Sequence, residues 1–136
     1  MVPCLRHTPD TKFARIAPGG FRLLAALDHA TQVIGQDLVI TAGTNDHTTG
    51  RHPQGEAFDV RVRGLDVPTI LRLVQVLKAT LGQRFTVLYE VPSHPDDPQL
   101  AAIATINHKA SGPHLHLQPV KGSVYPPPDE GGTLRA

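Results

Sequence analysis

Two segments of this 136-residue chain alternate apolar and polar residues with a period of two: EAFDVRVR at 56–63 and HLHLQ at 114–118. Successive side chains of a β-strand project to opposite faces, so each segment predicts a strand with one apolar and one polar face. The apolar positions are Phe58, Val60, Val62, Leu115 and Leu117. Such a chain must cover one side of its sheet with other elements, while the opposite side stays polar.

Two longer segments carry the apolar spacing of helices. Apolar residues recur every three or four positions from 21 to 33, and Gly35 is placed to end that helix. The same spacing from 70 to 81 predicts a second helix, with Asp66 as a favourable N-cap and Gly82 at its end. These two helices are available to cover the apolar side of the sheet.

The remaining segments predict two more strands and one short helix. Residues 37–43 and 84–91 are short and rich in β-branched residues, which favours strands. The segment QLAAIATI at 99–106 predicts a short helix. Residues 1–18 and the rest of 92–112 carry scattered prolines and are predicted to be irregular.

These elements predict the α+β class, with a central antiparallel sheet and helices packed mainly on one face. The length suits one domain, which we place at 1–118. Residues 119–136 form a Pro/Gly-rich tail that we expect to be poorly ordered. Any functional site should lie on the polar face of the sheet, opposite the helices.

Composition disfavours several classes of partner. The net charge is +1, the basic residues do not cluster and aromatic residues make up 4%, so we expect no nucleic-acid partner. No apolar run approaches the ~20 residues of a membrane span, and no secretory signal is visible. The single cysteine, Cys4, rules out an internal disulfide and disfavours thiolate ligation of a metal. We expect a monomer.

Three of the eight histidines fall in two short patterned stretches, and the first of these stretches also holds Asp59. His52 and Asp59 begin and end HPQGEAFD, and His114 and His116 share one face of the strand HLHLQ with Gln118. Two imidazoles and a carboxylate fit the three protein ligands of a catalytic zinc ion. The alternative reading of the same residues is a set of hydrogen-bonding histidines without a metal.

These stretches resemble the zinc D-alanyl-D-alanine carboxypeptidases and dipeptidases, whose fold is shared by the hedgehog signalling domain. Residues 52–59 match the family core H-x-x-G-x-A-x-D, and Gly112-Pro-His114-Leu-His116 matches its second block. The preceding TAGTNDHTTGR is similar to small, phage-endolysin-like members. The resemblance covers roughly residues 20–118 and implies the hedgehog/DD-peptidase fold.

The resemblance also implies a role for each site residue. His52, Asp59 and His116 would hold Zn²⁺, and His114 would hydrogen-bond the substrate or an oxyanion. Glu90, at the end of the predicted strand 84–91, is the candidate general base.

Two departures from the family pattern bear on the substrate. Gly50 stands where the family has a serine, and no arginine lies between Arg22 and Arg51, where the family often carries one that binds the substrate. We expect Arg51 to take over that task and His47 to lie on the rim of the site, with a role on the loop surface as the alternative for His47.

The resemblance implies a zinc-dependent peptidase acting on peptidoglycan peptides, either like a D-Ala-D-Ala carboxypeptidase or like an endolysin. A hedgehog-like zinc module that serves recognition without turnover is the alternative. The missing arginine favours the module, whereas Glu90 favours the enzyme. A zinc hydrolase of a non-peptide amide is a third reading. Localisation stays open, because phage lytic enzymes reach the cell wall through a separate pore.

Overall fold

The computed structural model describes residues 2–44 and 55–121, and within these ranges the chain forms three α-helices and six β-strands. In chain order these elements are β1 (Leu5–His7), α1 (Pro18–Ile34), β2 (Leu38–Ala42), β3 (Phe58–Arg61), α2 (Val67–Leu81), β4 (Phe85–Val91), α3 (Pro98–Ile103), β5 (Ala104–Ile106) and β6 (His114–Pro119). A single 3₁₀ turn, Gly82–Arg84, joins α2 to β4.

The strands form one six-stranded sheet with the order β1-β2-β3-β6-β4-β5. The four inner strands pair antiparallel, as predicted, whereas β1 runs parallel to β2 and β5 runs parallel to β4. The sheet is therefore mixed rather than antiparallel throughout. The α+β class is confirmed at the level of a mixed helix-and-strand fold built on one sheet.

The two edge strands were not predicted. β1 lies in the segment predicted to be irregular. The sequence gives no signal for it, because its three residues, LRH, carry no apolar alternation. β5 lies within the segment predicted as a helix: α3 ends at Ile103, and the next three residues pair with β4 instead. Thr105 and Ile106 are β-branched, which favours the extended backbone once a neighbouring strand is available.

The predicted N-cap of α2 at Asp66 and the predicted glycine ends of α1 and α2 at Gly35 and Gly82 are confirmed, whereas α1 begins at Pro18, before the predicted start. The Asp66 carboxylate accepts a hydrogen bond from the backbone N–H of Thr69 at 2.9 Å and caps α2. Gly35 follows α1 with φ of 71°, the left-handed conformation that favours glycine at a helix end. Asp97 caps α3 in the same way as Asp66, through the backbone N–H groups of Gln99 and Leu100.

One core lies between the helices and the apolar face of the sheet. Along β2, β3, β4 and β6 every second residue is buried, and all of these residues except Ala42 and Pro119 belong to the same cluster as the buried stripes of α1 and α2. The cluster members that are 0% exposed are Leu23, Ala26, Leu27, Ala30, Phe58, Val60, Leu73, Leu77, Leu115 and Leu117. Each large aliphatic side chain buried there contributes about 1.5–3 kcal/mol. The intervening strand residues project to the opposite face, which carries the polar residues.

Among the described residues, no helix has both the length and the apolar character that crossing a bilayer requires.

Candidate metal and catalytic site

Strand register brings Asp59 of β3 directly opposite His116 of β6. Both residues occupy the half-buried positions of their strands, so their side chains share the polar face. On the other side of β6, His116 is paired with Leu88 of β4. Asp59, His116 and Leu88 thus form one row across three neighbouring strands.

A second row lies one strand repeat away, two residues along each strand. Here Arg61 of β3 is opposite His114 of β6, and His114 is opposite Glu90 of β4. A cation, an imidazole and a carboxylate therefore follow one another across the same face of the sheet.

His116 is hydrogen-bonded at both ring nitrogens. Nδ1 lies 2.8 Å from Asp59 Oδ1, and Nε2 lies 2.8 Å from Gln118 Oε1. Burial is the largest influence on the pKa of His116 and lowers it, but the hydrogen bonds to Asp59 and Gln118, with the charges of Asp59 and Glu90, outweigh it. The net result is a pKa raised above 6.5, because two acceptors favour the ring that donates from both nitrogens.

His114 links the second row to Glu90. Its Nε2–H donates to Glu90 Oε1 at 2.9 Å, and its Nδ1 lies 3.2 Å from the carbonyl oxygen of Gly112. Gly112 stands in the turn that leads into β6, so the backbone and a carboxylate together orient the ring. This contact brings Glu90 and His114 together, although 24 residues separate them in sequence.

The two rows act as one electrostatic unit. His114 Nε2 lies 4.0 Å from Asp59 Oδ1, the same oxygen that accepts from His116. The four side chains of Asp59, Glu90, His114 and His116 are only 16–18% exposed. Charges in such a setting interact more strongly than on an open surface, while a small exposed fraction keeps the groups within reach of a ligand.

The chemistry of Asp59 and His116 fits zinc, which takes carboxylate oxygen and imidazole nitrogen. Two atoms bound to one tetrahedral zinc at 2.0–2.1 Å lie about 3.3 Å apart. Asp59 Oδ1 and His116 Nδ1 are 2.8 Å apart, so a modest rotation of either side chain would open the pair for a metal. Within residues 2–44 and 55–121, no group of three His, Cys, Asp or Glu side chains is arranged to hold a metal ion. The third predicted ligand, His52, lies outside the described residues.

Gly55 of the predicted motif serves close packing of the backbone. Gly55 has φ of 73°, and a Cβ placed there would lie 1.9 Å from the carbonyl oxygen of Arg15. Its own carbonyl accepts a hydrogen bond from the N–H of Ala17 at 3.2 Å, and a Cβ on Gly20 would lie 2.0 Å from that same oxygen. The space beside Gly55 is therefore filled by the backbone of residues 15–20, at the start of α1 and just before it. Ala57 is fully buried.

Of the predicted site residues, the structure brings together Asp59, Glu90, His114 and His116. His47, Arg51 and His52 lie outside the described residues, and their predicted roles stay predictions.

Two further polar residues on this face were not assigned a role from the sequence. Gln118 binds the second nitrogen of His116, and its position two residues after His116 on the same strand face was the available signal. Arg61 stands two residues after Asp59 on β3, so the alternation of that strand placed it on the same face.

Comparisons with protein-family models, with curated proteins and with solved structures find no match to this chain.

Proposed function

We propose that this protein is a zinc-dependent peptidase that hydrolyses a peptide bond in peptidoglycan-type peptides. The observation that carries the proposal is the meeting of two carboxylate–histidine pairs on one polar sheet face. Asp59 with His116 supplies metal donors, and Nε2 of His114, the partner of Glu90, lies 4.0 Å from Asp59 Oδ1. A metal-assisted hydrolase needs both a donor set and an adjacent proton carrier.

The metal donors in this proposal are His52, Asp59 and His116. Bound zinc would supply the Lewis acidity that polarises a peptide carbonyl and makes water acidic near neutral pH. Asp59 and His116 hold their places through pairing of β3 with β6, and Gln118 fixes the ring of His116 from its other nitrogen. Such outer hydrogen bonds orient a ligand and set which nitrogen is free to bind metal.

Glu90 is the proposed general base. The hydrogen bond from His114 holds its Oε1, which leaves Oε2 to take a proton from the attacking water. As the water oxygen bonds to the carbonyl carbon and the carbon–nitrogen bond breaks, Glu90 returns that proton to the leaving amine. Once Glu90 is protonated it accepts more weakly from His114, and the Nε2–H of His114 would then be available to the carbonyl oxygen as negative charge develops there.

We further propose that the fold is of the hedgehog/DD-peptidase type. The one-sided packing of helices, the site on the opposite face and the strand that carries H-x-H beside the strand that carries Asp59 all support it. The proposed working unit is a monomer, and its domain extends one residue past the predicted boundary at 118, because β6 includes Pro119.

A zinc-binding module without turnover is the second candidate. The observation in its favour is that Asp59 and Glu90 each already accept a histidine hydrogen bond, so these pairs satisfy one another without a substrate. Such a network suits a structural site as well as a reactive one.

Glu90→Gln separates the two candidates. In the peptidase, this change should lower kcat on an acetylated peptide ending in D-Ala-D-Ala by about 10²–10⁴-fold while zinc content is retained. Asp96→Asn is the matched control, because it removes one carboxylate charge from an exposed loop residue. An unchanged rate in Glu90→Gln contradicts the proposed base. Full zinc occupancy with no cleavage by the wild-type protein favours the binding module.

Metal analysis of the purified full chain tests the donor set. His52→Ala and Asp59→Ala should each lose bound zinc, whereas His29→Ala, a change on exposed α1 surface, should retain it. Unchanged zinc content in His52→Ala would remove His52 from the site.

A further inference from the structure

The bracing segment, residues 11–17, lies across the end of the sheet that carries Asp59. It forms neither helix nor strand, yet it is hydrogen-bonded on both sides of that end: to Thr44, two residues after β2, and to Gly55, three residues before β3. Asp59 is the second residue of β3 and is paired with Ala42, the last residue of β2. The bracing segment therefore joins the chain that leaves β2 to the chain that enters β3, beside Asp59.

Thr44 makes the contacts on the β2 side. Its N–H donates to the carbonyl oxygen of Lys12 at 2.9 Å, and its hydroxyl donates to that same oxygen at 3.1 Å. The hydroxyl also accepts from the N–H of Ala14 at 3.1 Å, which a side chain without an acceptor cannot do. A Cβ on Gly43 would lie 2.3 Å from the Lys12 oxygen, so the two backbones approach closely here.

Backbone and aromatic contacts join the bracing segment to the β3 side. The N–H of Ala17 donates to the carbonyl oxygen of Gly55 at 3.2 Å. The ring of Phe13 packs against the ring of Phe58 with 5.8 Å between the centroids, within the range of favourable aromatic pairs. Because Phe58 directly precedes Asp59 and is 0% exposed, a movement of the bracing segment changes the packing next to this carboxylate.

Strand pairing alone holds this end of the sheet less firmly than its middle. The register shifts between Ile40, which is opposite Val60, and Ala42, which is opposite Asp59. Such an irregularity interrupts the ladder of hydrogen bonds and bends the strand. The bracing segment is bonded to β2 at the same place, where the buried hydroxyl of Thr11 donates to the carbonyl oxygen of Ile40 at 3.3 Å. It therefore supplies contacts where the ladder is interrupted.

We propose that docking of the bracing segment and metal binding at Asp59 stabilise each other, with Thr44 as the positioning residue that links them. This inference rests on the proposed function, because it takes Asp59 as a metal donor. A metal that fixes Asp59 restrains the start of β3, so the bracing segment docks onto a surface that is already ordered. Coupling of this kind is reciprocal, and the docked segment tightens metal binding by the same factor.

Limited digestion of the full chain with trypsin, with and without zinc, tests the inference. Lys12 and Arg15 are exposed cleavage sites within the bracing segment, whereas Arg72 lies inside α2 and reports opening of the whole domain. Mass spectrometry gives the rate at each site, and the zinc content of each sample is measured in parallel. A chromogenic arginine peptide in the same buffer corrects for any action of zinc on trypsin.

We expect bound zinc to slow cleavage after Arg15 in the wild type by about 5-fold or more, the lower end of common coupling strengths. In metal-free protein, Thr44→Val should speed that cleavage by about 3- to 10-fold, the range of one hydrogen bond, and should lose part of the protection by zinc. Thr44→Ser keeps the hydroxyl and should restore both values. Thr105→Val, the matched control, removes a hydroxyl from an exposed residue of β5 and should change neither.

The inference and the proposed function fail in different ways. Zinc that binds without slowing cleavage after Arg15 overturns the inference and leaves the metal site in place. Cleavage after Arg72 that keeps pace with cleavage after Arg15 also overturns it, because the bracing segment then opens only with the whole domain. A wild-type rate and full zinc protection in Thr44→Val remove Thr44 as the link. Protection by zinc in a protein that cleaves no peptide upholds the inference and removes the peptidase, whereas a wild-type chain that binds no zinc overturns both.

Discussion

Replacement of Gly55 by alanine should disturb the fold where Gly55 packs against Arg15 and Ile16, just before α1. Two costs combine at this position. Its φ of 73° lies in the left-handed region, where a Cβ costs about 1–2 kcal/mol. The new Cβ would also lie 1.9 Å from the carbonyl oxygen of Arg15, so the segment before α1 has to move by more than 1 Å. Forced overpacking of this kind typically costs about 1–3 kcal/mol.

Gly35→Ala carries the first cost alone, so the difference between the two variants measures the second cost. Gly35 has nearly the same φ, 71°, but a Cβ there meets nothing within 4 Å. We therefore expect Gly35→Ala to lower the free energy of unfolding by about 1–2 kcal/mol and Gly55→Ala by about 2–5 kcal/mol.

Urea unfolding followed by circular dichroism measures both variants under the same conditions. The comparison is valid if the m-values agree, because a changed m-value indicates an altered compactness of one of the two states. Equal destabilisation by the two changes would refute the role given to the Arg15 contact. Zinc titration adds a functional readout: Gly55→Ala should weaken zinc binding, since Gly55 precedes β3 and Asp59, whereas Gly35→Ala should not.

Three further predictions concern the site and the core. Gln118→Leu should weaken zinc binding by about 10- to 100-fold, because it removes the group that orients His116; Thr86→Val, at the paired position of β4, should leave affinity unchanged in the same titration. In metal-free protein the pKa of His116 is raised on folding, so its stabilising contribution is complete below pH ~6.5 and is lost as pH rises through the folded-state pKa. The gap in unfolding free energy between wild type and His116→Gln should therefore shrink from pH 6 to pH 9, and a pH-independent gap would contradict the raised pKa. Phe58→Ala should cost about 3–5 kcal/mol, because Phe58 is 0% exposed, whereas Phe21→Ala, at a site 61% exposed, should stay within about 0.5 kcal/mol in thermal or urea unfolding.

Local sequence patterns predicted which face each site residue occupies. The period of two in HLHLQ places His114 and His116 together, and the same period places Asp59 on the polar side of its strand. The helix caps at Asp66 and Gly35 were predictable for a similar reason, since each depends on a few neighbouring residues. Properties that depend on contacts within one element were within reach of the sequence.

Properties that depend on pairing between distant segments were not. The order β3-β6-β4 brings Glu90 to His114 and leaves Leu88 beside His116, and no local pattern fixes that order. The same limit explains β1 and β5, whose extended backbone is stabilised by neighbouring strands rather than by their own residues. The packing role of Gly55 was not predicted either, because the approach of Arg15 from 40 positions earlier has no signature in the sequence.

The apolar residues between the site residues hold the site in register. Leu115 lies between His114 and His116, Val60 follows Asp59, and both apolar side chains are 0% exposed. A slip of β6 by one residue would move both histidines into the core and both leucines of that strand onto the polar face. Each exchanged pair would lose about 1.5–3 kcal/mol of apolar burial and would add the cost of burying an imidazole without its partner. The packing that folds the domain therefore also keeps Asp59 opposite His116 and Glu90 opposite His114, so a substitution within the core is expected to change the geometry of the site as well as the stability.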